Sequence, residues 1–197
     1  MPLSPSRLKR LQSVASNRQS GLTLVLEDIH DPHNAAAMLR TCDGLGIQDV
    51  YVIFEQETFY NIRKIGKVSS SSANKWLTFH IYRSTKECFR DLKKRGYTTA
   101  LTILDADAEN LFKAKLTDKK LALVVGNENR GVSPTAIKLA DRKLYLPMQG
   151  FVQSFNVSVT AALFMYEIVR QRITKAGASS RLGKKEAQRL LADFKKR

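Results

Sequence analysis

Residues 126–131 read Gly-Asn-Glu-Asn-Arg-Gly and follow directly on the apolar run at 121–125. Two glycines placed just after a strand mark a loop whose backbone passes close to something, either the chain itself or a ligand. Their spacing is wrong for the glycine fingerprint of a dinucleotide site. The sequence has no Gly-x-x-x-x-Gly-Lys-Ser/Thr phosphate loop, no Gly-x-Ser-x-Gly nucleophile turn and no His-Glu-x-x-His zinc helix. His30, His33 and His80 are scattered, and neither Cys42 nor Cys88 has a histidine at metal-ligand spacing. No metal is expected, and the two cysteines read as buried free thiols.

The second chemical signal is charge. The chain carries a formal net charge of +15 over 197 residues, and the excess is segregated. Residues 1–20 hold four basic groups and no acid; residues 60–97 and 170–197 each hold ten basic groups against two acids. Residues 21–59 total −6 and residues 98–169 total +1. Solubility needs far less charge than this, so the pattern implies phosphate-binding surfaces around a separate chemical core. The serine run Ser69-Ser70-Ser71-Ser72 lies among Arg63, Lys64, Lys67 and Lys75 and reads as a loop that meets RNA phosphates, with Trp76 packed beneath it.

The elements that must position these groups alternate along the chain. Apolar, β-favouring runs at 22–26, 50–54, 78–82, 97–104, 121–125 and 144–147 predict strands. Helices are predicted from Asn34 to near Gly44, over 84–94, from Ser133-Pro134, and over 156–172. Strands separated by helices of this length imply an α/β protein with a parallel sheet covered on both faces. Leu3, Leu8, Leu11 and Val14 suggest a basic amphipathic helix at the start. Ala187, Leu190, Leu191 and Phe194 share one face of another over 184–196, after a small-residue linker at 174–180. The expected organisation is a helical extension over 1–20, a core over 21–173, and a linker with a basic helix over 174–197. No apolar run approaches the ~18 residues of a membrane span, and the N-terminus lacks the apolar stretch of a secretion signal. A cytoplasmic protein is expected.

Three segments taken together are more specific than any one. They are Asp31-Pro32-His33-Asn34-Ala35-Ala36-Ala37-Met38-Leu39-Arg40-Thr41-Cys42, the stretch 121–133 around the two glycines, and residues 144–162, which include Gln153-Ser154-Phe155-Asn156-Val157-Ser158. In order, spacing and content they resemble the three motifs of the TrmH-type SPOUT-class RNA 2′-O-ribose methyltransferases. The resemblance spans about residues 22–172. It implies a deep trefoil knot formed by roughly residues 124–172, an S-adenosyl-L-methionine pocket built from the knot loops, and a homodimer that completes the active site. The apolar face of the helix predicted over 156–172 also needs a partner.

Carried over residue by residue, the resemblance implies cofactor contacts from Thr102, Gly126, Asn127, Gly131, Leu146, Met148 and Phe155. Phe155 stands where the family often has leucine. Asn34, Arg40, Glu128, Ser154 and Asn156 match the polar active-site positions. The family assigns the arginine to activation of the ribose 2′-hydroxyl. A guanidinium stays protonated at ordinary pH and is a poor base, so a stabiliser of the developing 2′-alkoxide is the favoured role. Expected RNA contacts come from Arg7, Arg10, Arg18, Arg63, Lys64, Lys67, Lys75, Arg172, Arg181, Lys184 and Lys185. Within the family, a short core with basic helices at both ends is most similar to the enzymes that modify guanosine 18 in the tRNA D-loop. The alternatives are another tRNA nucleotide, ribosomal RNA, or an RNA-binding protein without catalysis.

Overall fold

The computed structural model describes residues 3–65 and 73–197. Lys67 and the serine run at 69–72, expected to meet RNA, lie outside the described residues.

Helix α1 (Pro5–Ser16) leads into β1 (Leu22–Glu27), α2 (Pro32–Gly44), β2 (Asp49–Ile53), β3 (Thr78–Tyr82), α3 (Thr85–Lys94) and β4 (Thr98–Thr102). There follow β5 (Glu109–Asn110), β6 (Leu121–Val125), α4 (Pro134–Leu139), β7 (Arg142–Tyr145), α5 (Val157–Ala176) and α6 (Lys184–Phe194). The seven strands form one sheet in the order β3-β2-β1-β6-β4-β7-β5. Every pairing is parallel. β1 and β6 pair at the centre, Leu22 opposite Leu121 and Leu26 opposite Val125. Both are buried along their whole length, as expected for strands covered on two faces.

The alternation of side chains along these strands supplies two cores. Leu24, Leu26, Leu123 and Val125 pack against Met38, Leu39 and Cys42 of α2 and Phe164, Met165 and Ile168 of α5. Val25, Tyr51, Ala122 and Val124 face the other way, onto Cys88, Phe89 and Leu92 of α3 and Ala136 of α4. The helices begin where the sequence supplies caps. Asp31 precedes Pro32 and accepts from the His33 N–H at 2.8 Å; Ser133 precedes Pro134 and accepts from the Ala136 N–H at 3.0 Å.

The chain termini meet. Leu11 and Ala15 of α1 and Phe194 of α6 form a small separate core. Trp76 meets the Phe194 ring edge to face at 5.5 Å. Backbone bonds from Ser20 N–H to Ser180 O (2.8 Å) and from Leu182 N–H to Arg18 O (2.9 Å) tie the two extensions together.

Two expectations are corrected here. Arg18 and Arg172, expected on the RNA surface, are buried. Arg18 pairs with Asp43 at 2.6 Å, donates to the Asp43 carbonyl at 3.1 Å, and lies 5.9 Å from the Phe194 ring centre. Arg172 donates to the carbonyls of Asp118 (2.9 Å) and Ser20, and burial pulls its pKa below the usual arginine value. Both guanidiniums serve as internal crosslinks, because five N–H donors in one planar group satisfy carbonyls that no strand or helix reaches. The helix predicted to stop at 172 continues through Ala176, so the first part of the expected linker is helical. β5 was not anticipated. It has two residues, too short for a periodic signal, and is held by the bidentate pair of Arg142 with Glu109 at 2.8 and 2.7 Å.

The α1–α6 contact should carry stability. Phe194→Ala removes a buried ring that touches Trp76 and Arg18, and should lower the unfolding free energy by about 3 kcal/mol in a denaturant titration. An unchanged midpoint would mean that the two helices do not fold with the core.

Candidate active site

The carboxyl ends of β4, β6 and β7 open into a cavity of about 320 Å³. In open parallel sheets, ligands bind beyond the carboxyl ends of the strands where the chain changes direction across the sheet. Here β1 leads to β2 and β3 on one side, while β6, β4 and β7 lie on the other. The cavity is walled by residues 102–104, residues 126–132, residues 144–146, Met148, residues 153–155, Val157, Thr160 and Phe164. Thr102, Gly126, Asn127, Gly131, Leu146, Met148 and Phe155 all line it, as do Glu128 and Ser154.

The loop after β6 is a tight hairpin. Asn127 and Gly131 exchange backbone hydrogen bonds of 2.9 Å in both directions. A Cβ on Gly126 would sit 2.4 Å from backbone atoms of Gly131 and Val132, so any side chain would force the hairpin open. Gly131 is required for a different reason. Its φ of 69° is left-handed, and nothing crowds the position. The buried Asn127 side chain braces the loop from within. Its Oδ1 accepts from the N–H groups of Asn129 (2.9 Å) and Arg130 (3.1 Å), and its Nδ2 donates to Asp28 O (2.8 Å) and Glu57 Oε1 (3.1 Å).

Glu128 joins this loop to α2 and α5. It accepts from the backbone N–H groups of His30 (2.9 Å) and Asp31 (3.2 Å) and from Asn34 Nδ2 (2.8 Å). Asn34 Oδ1 in turn accepts from Asn156 Nδ2 at 3.0 Å, and Asn156 Oδ1 caps α5 through the Ser158 N–H at 2.8 Å. Three distant segments thus meet in one relay. Burial opposes ionisation of Glu128, but the hydrogen bonds from Asn34 and the His30 and Asp31 N–H groups outweigh it and hold the carboxyl below its usual pKa. Arg40 is exposed, two turns along α2 from Asn34, and does not line the cavity.

Other residues build the site that sequence reasoning did not single out. Asp28 has a left-handed φ of 50° and is buried; its Oδ1 accepts from three consecutive N–H groups, those of Glu55, Gln56 and Glu57 (2.8–3.1 Å). Glu57 pairs with His30 at 2.9 Å and Arg130 at 2.7 Å. The hydrogen bond from His30, reinforced by Arg130, lowers the Glu57 pKa, and the same contact raises that of His30. The only sequence signal for this cluster was the density of acids over residues 27–57.

Of the expected RNA contacts, Arg7, Arg10, Arg63, Lys64, Lys75, Arg181, Lys184 and Lys185 are exposed. Because α1 and α6 pack together, the basic groups at the two ends of the chain belong to one surface region.

The lowered Glu128 pKa predicts a pH effect. Its ionised form stabilises the fold above the unfolded value of about 4.3, and that contribution is lost as pH falls through the lower native value. Urea midpoints measured from pH 7 down to about 3 should fall less steeply for Glu128→Gln than for the wild type. Parallel curves would mean that the charge on Glu128 is not part of the relay's stability.

The comparisons with known proteins agree with this geometry. The sequence profile of the SpoU rRNA Methylase family matches residues 21–166. A tRNA (guanosine(18)-2′-O)-methyltransferase of Thermus thermophilus is 38% identical over 191 residues, covering 96% of this chain and 95% of that protein. The crystal structure of the Aquifex aeolicus TrmH/SpoU tRNA modifying enzyme superposes with a TM-score of 0.86 at 33% identity, covering 96% of this chain and 94% of that one. The SpoU methyltransferase AviRb of Streptomyces viridochromogenes, solved with its cofactor AdoMet, gives a TM-score of 0.69 at 25% identity, over 80% of this chain and 62% of that one. With its β6 hairpin, its Asn34–Glu128–Asn156 relay and a family match over most of its length, this chain belongs to the SpoU methylase family.

Proposed function

We propose that this protein transfers a methyl group from S-adenosyl-L-methionine to the ribose 2′-hydroxyl of guanosine 18 in tRNA. The observation that carries this reading is the convergence of the β6 hairpin, residues 144–155 and the Asn34–Glu128–Asn156 relay around one cavity. The relatives named for this reaction add support, because the Thermus thermophilus enzyme aligns over 96% of this chain and therefore reaches into both terminal helices.

The cavity suits the cofactor. Its volume of about 320 Å³ falls at the lower end of the ~300–1,000 Å³ usual for small-molecule sites. Its walls combine apolar faces (Ile103, Leu146, Met148, Val157) with the turned backbone of the β6 hairpin, a surface that can grip a nucleoside base and read its edge. When bound, the cofactor supplies an electrophilic methyl group on a sulfonium. Gly126 and Gly131 keep the hairpin narrow, Thr102 and Ser154 offer hydroxyls to the cavity, and Glu128 brings a negative charge to its wall. Asn34 and Asn156, which do not themselves line the cavity, hold Glu128 in place from outside it. Arg40 stabilises the negative charge that develops on the 2′-oxygen and orients the neighbouring phosphate.

The same reading includes a deep trefoil knot over roughly residues 124–172. The path of the chain supports it. β6 lies inside the sheet between β1 and β4, and β7 pairs on the far side of β4. The chain then passes along the β6 hairpin, and α5 returns to pack on α2. Residues of the β5–β6 connection grip α5: Leu116 N–H donates to Gln171 Oε1 at 2.8 Å, and Gln171 Nε2 donates to Ala114 O at 2.9 Å. The basic α1 and α6 hold the tRNA, and a tRNA substrate is consistent with the expected cytoplasmic location. No helix among the described residues is long and apolar enough to cross a membrane.

Purified protein incubated with S-adenosyl-L-methionine and a tRNA transcript should yield a 2′-O-methyl group at guanosine 18. Arg40→Ala should slow single-turnover methylation by at least ~10²-fold with cofactor affinity retained. Methylation confined to ribosomal RNA, or an Arg40→Ala variant as fast as the wild type, would overturn the corresponding assignment.

A homodimer is part of the proposal. Beside its buried stripe, α5 carries a second apolar face of Val159, Leu163, Tyr166 and Ile173, all exposed, continuous in sequence with exposed Phe151, Val152 and Phe155. Sedimentation equilibrium at micromolar concentration should give twice the mass of the 22.2 kDa chain. A monomer there would remove the dimer from the account.

A further inference from the structure

The loop that follows β2 carries an aromatic surface that the proposed reaction leaves unused. Phe54 is buried, and Phe59 stands on it edge to face, with ring centres 5.1 Å apart and planes at 67°. Phe59 is 44% exposed. Arg83, just beyond β3, brings its guanidinium to 4.7 Å from the Phe59 ring centre and 6.0 Å from that of Phe54. Arg83 is exposed and forms no ion pair among the described residues. A planar cation thus lies against a half-exposed ring, and the ring is fixed from behind by a buried one.

The position matters as much as the composition. The N–H groups of residues 55–57 are fastened to Asp28 Oδ1, and Tyr60 Oη donates to Ile29 O at 3.1 Å. The aromatic surface is therefore tied to the β1–α2 loop, which leads into the first turn of α2 and Asn34 of the relay. β3 lies three strands from β6, the nearest of the strands that open into the cavity, and strands spaced about 4.8 Å apart put it roughly 14 Å across the sheet. An extended RNA strand crosses that distance in a few nucleotides. The exposed cations Arg63 and Lys64 come from the same β2–β3 connection as Phe59, and exposed Lys86 from the first turn of α3 just after Arg83.

We propose that Phe59 and Arg83 form a stacking subsite for an unpaired RNA base near the methylated nucleotide. Aromatic faces and guanidinium planes are the groups on which splayed single-stranded bases stack, and surrounding cations hold the backbone. A protein partner would need a wide apolar patch, whereas the exposed surface here is one ring with Arg83 against it and the charged Glu55 and Glu57 in its own loop. The subsite rests on the RNA-methyltransferase reading for its substrate, and its test is separable from that reading.

Phe59→Ala and Phe59→Leu should weaken binding of a tRNA transcript about 5- to 100-fold. Cofactor affinity by calorimetry and the melting temperature of Phe59→Leu should stay at wild-type values. Phe59→Trp should bind as the wild type does. Arg83→Lys keeps the charge and loses the plane, so it should weaken binding while leaving the slope of affinity against salt unchanged. Wild-type RNA affinity for Phe59→Leu, or for both Arg83→Lys and Phe59→Ala, would overturn the subsite. If the wild type methylates no tRNA and Phe59→Leu still weakens RNA binding, the functional reading falls and the subsite stands. If the wild type methylates tRNA and every variant binds it equally, the subsite alone falls.

Discussion

A parallel strand that ends in the interior of a sheet leaves backbone N–H groups with no ladder to continue, and burial makes each unsatisfied group expensive. At the carboxyl edge of this sheet three side chains meet that demand. Asp28 takes the N–H groups of Glu55, Gln56 and Glu57, Asn127 takes those of Asn129 and Arg130, and Glu128 takes those of His30 and Asp31. Each is an acceptor on one loop that organises its own or a neighbouring loop. The Asn127 amide closes the set by donating to the Asp28 carbonyl. The loops after β1, β2 and β6 are therefore one hydrogen-bonded body, and the cavity wall, the Asn34–Asn156 relay and the Phe59–Arg83 pair all hang from it.

This arrangement explains why residues 21–59, the most acidic part of the chain, supply so many of the loop contacts at the carboxyl edge of the sheet. Carboxylates are acceptors only and suit loops rich in unpaired N–H groups. Glu27 shows the same logic on the opposite side of the sheet, where it accepts from Thr85 Oγ and Ser133 Oγ at 2.7 Å and so ties α3 and α4 to β1. The cost of confining these charges is offset by neutral donors more than by cations. Apart from the buried Arg18 and Arg172, most of the basic groups stand at the periphery, where a polyanion would meet them before it meets the acids.

The sequence carried the fold well where periodicity was long. The β3 and β6 runs match the observed strands end to end, and β1 was readable as a short apolar, β-favouring run whose two-residue period sends Leu24 and Val25 into different cores. Charge was legible as a total and ambiguous by residue. Arg18 and Arg172 look like any other arginine in a basic segment, and only the fold shows that one meets Asp43 and the other meets carbonyls brought from 54 and 152 positions away. The relay was identifiable only as residues that belong together, because its contacts span 94 and 122 positions. Asp28 and Glu57 were invisible for a different reason: an aspartate in a turn cluster is ordinary, and its left-handed backbone leaves no mark on the sequence.

α5 connects these levels. Ala161, Phe164, Met165 and Ile168 occupy one stripe and bury it against the sheet and α2. Val159, Leu163, Tyr166 and Ile173 occupy another and leave it exposed. A helix that is apolar on two sides satisfies only one of them within a monomer. The N-terminal cap of this helix is Asn156, the last member of the relay, and its C-terminal half is gripped by Ala114 and Leu116 through Gln171. Anything that seats against the exposed stripe therefore presses on a rod fixed at one end to the Asn34–Asn156 relay and at the other to the connection that precedes β6. Association and site geometry are mechanically joined through that rod, which gives the proposed dimer a reason to exist beyond burying apolar surface.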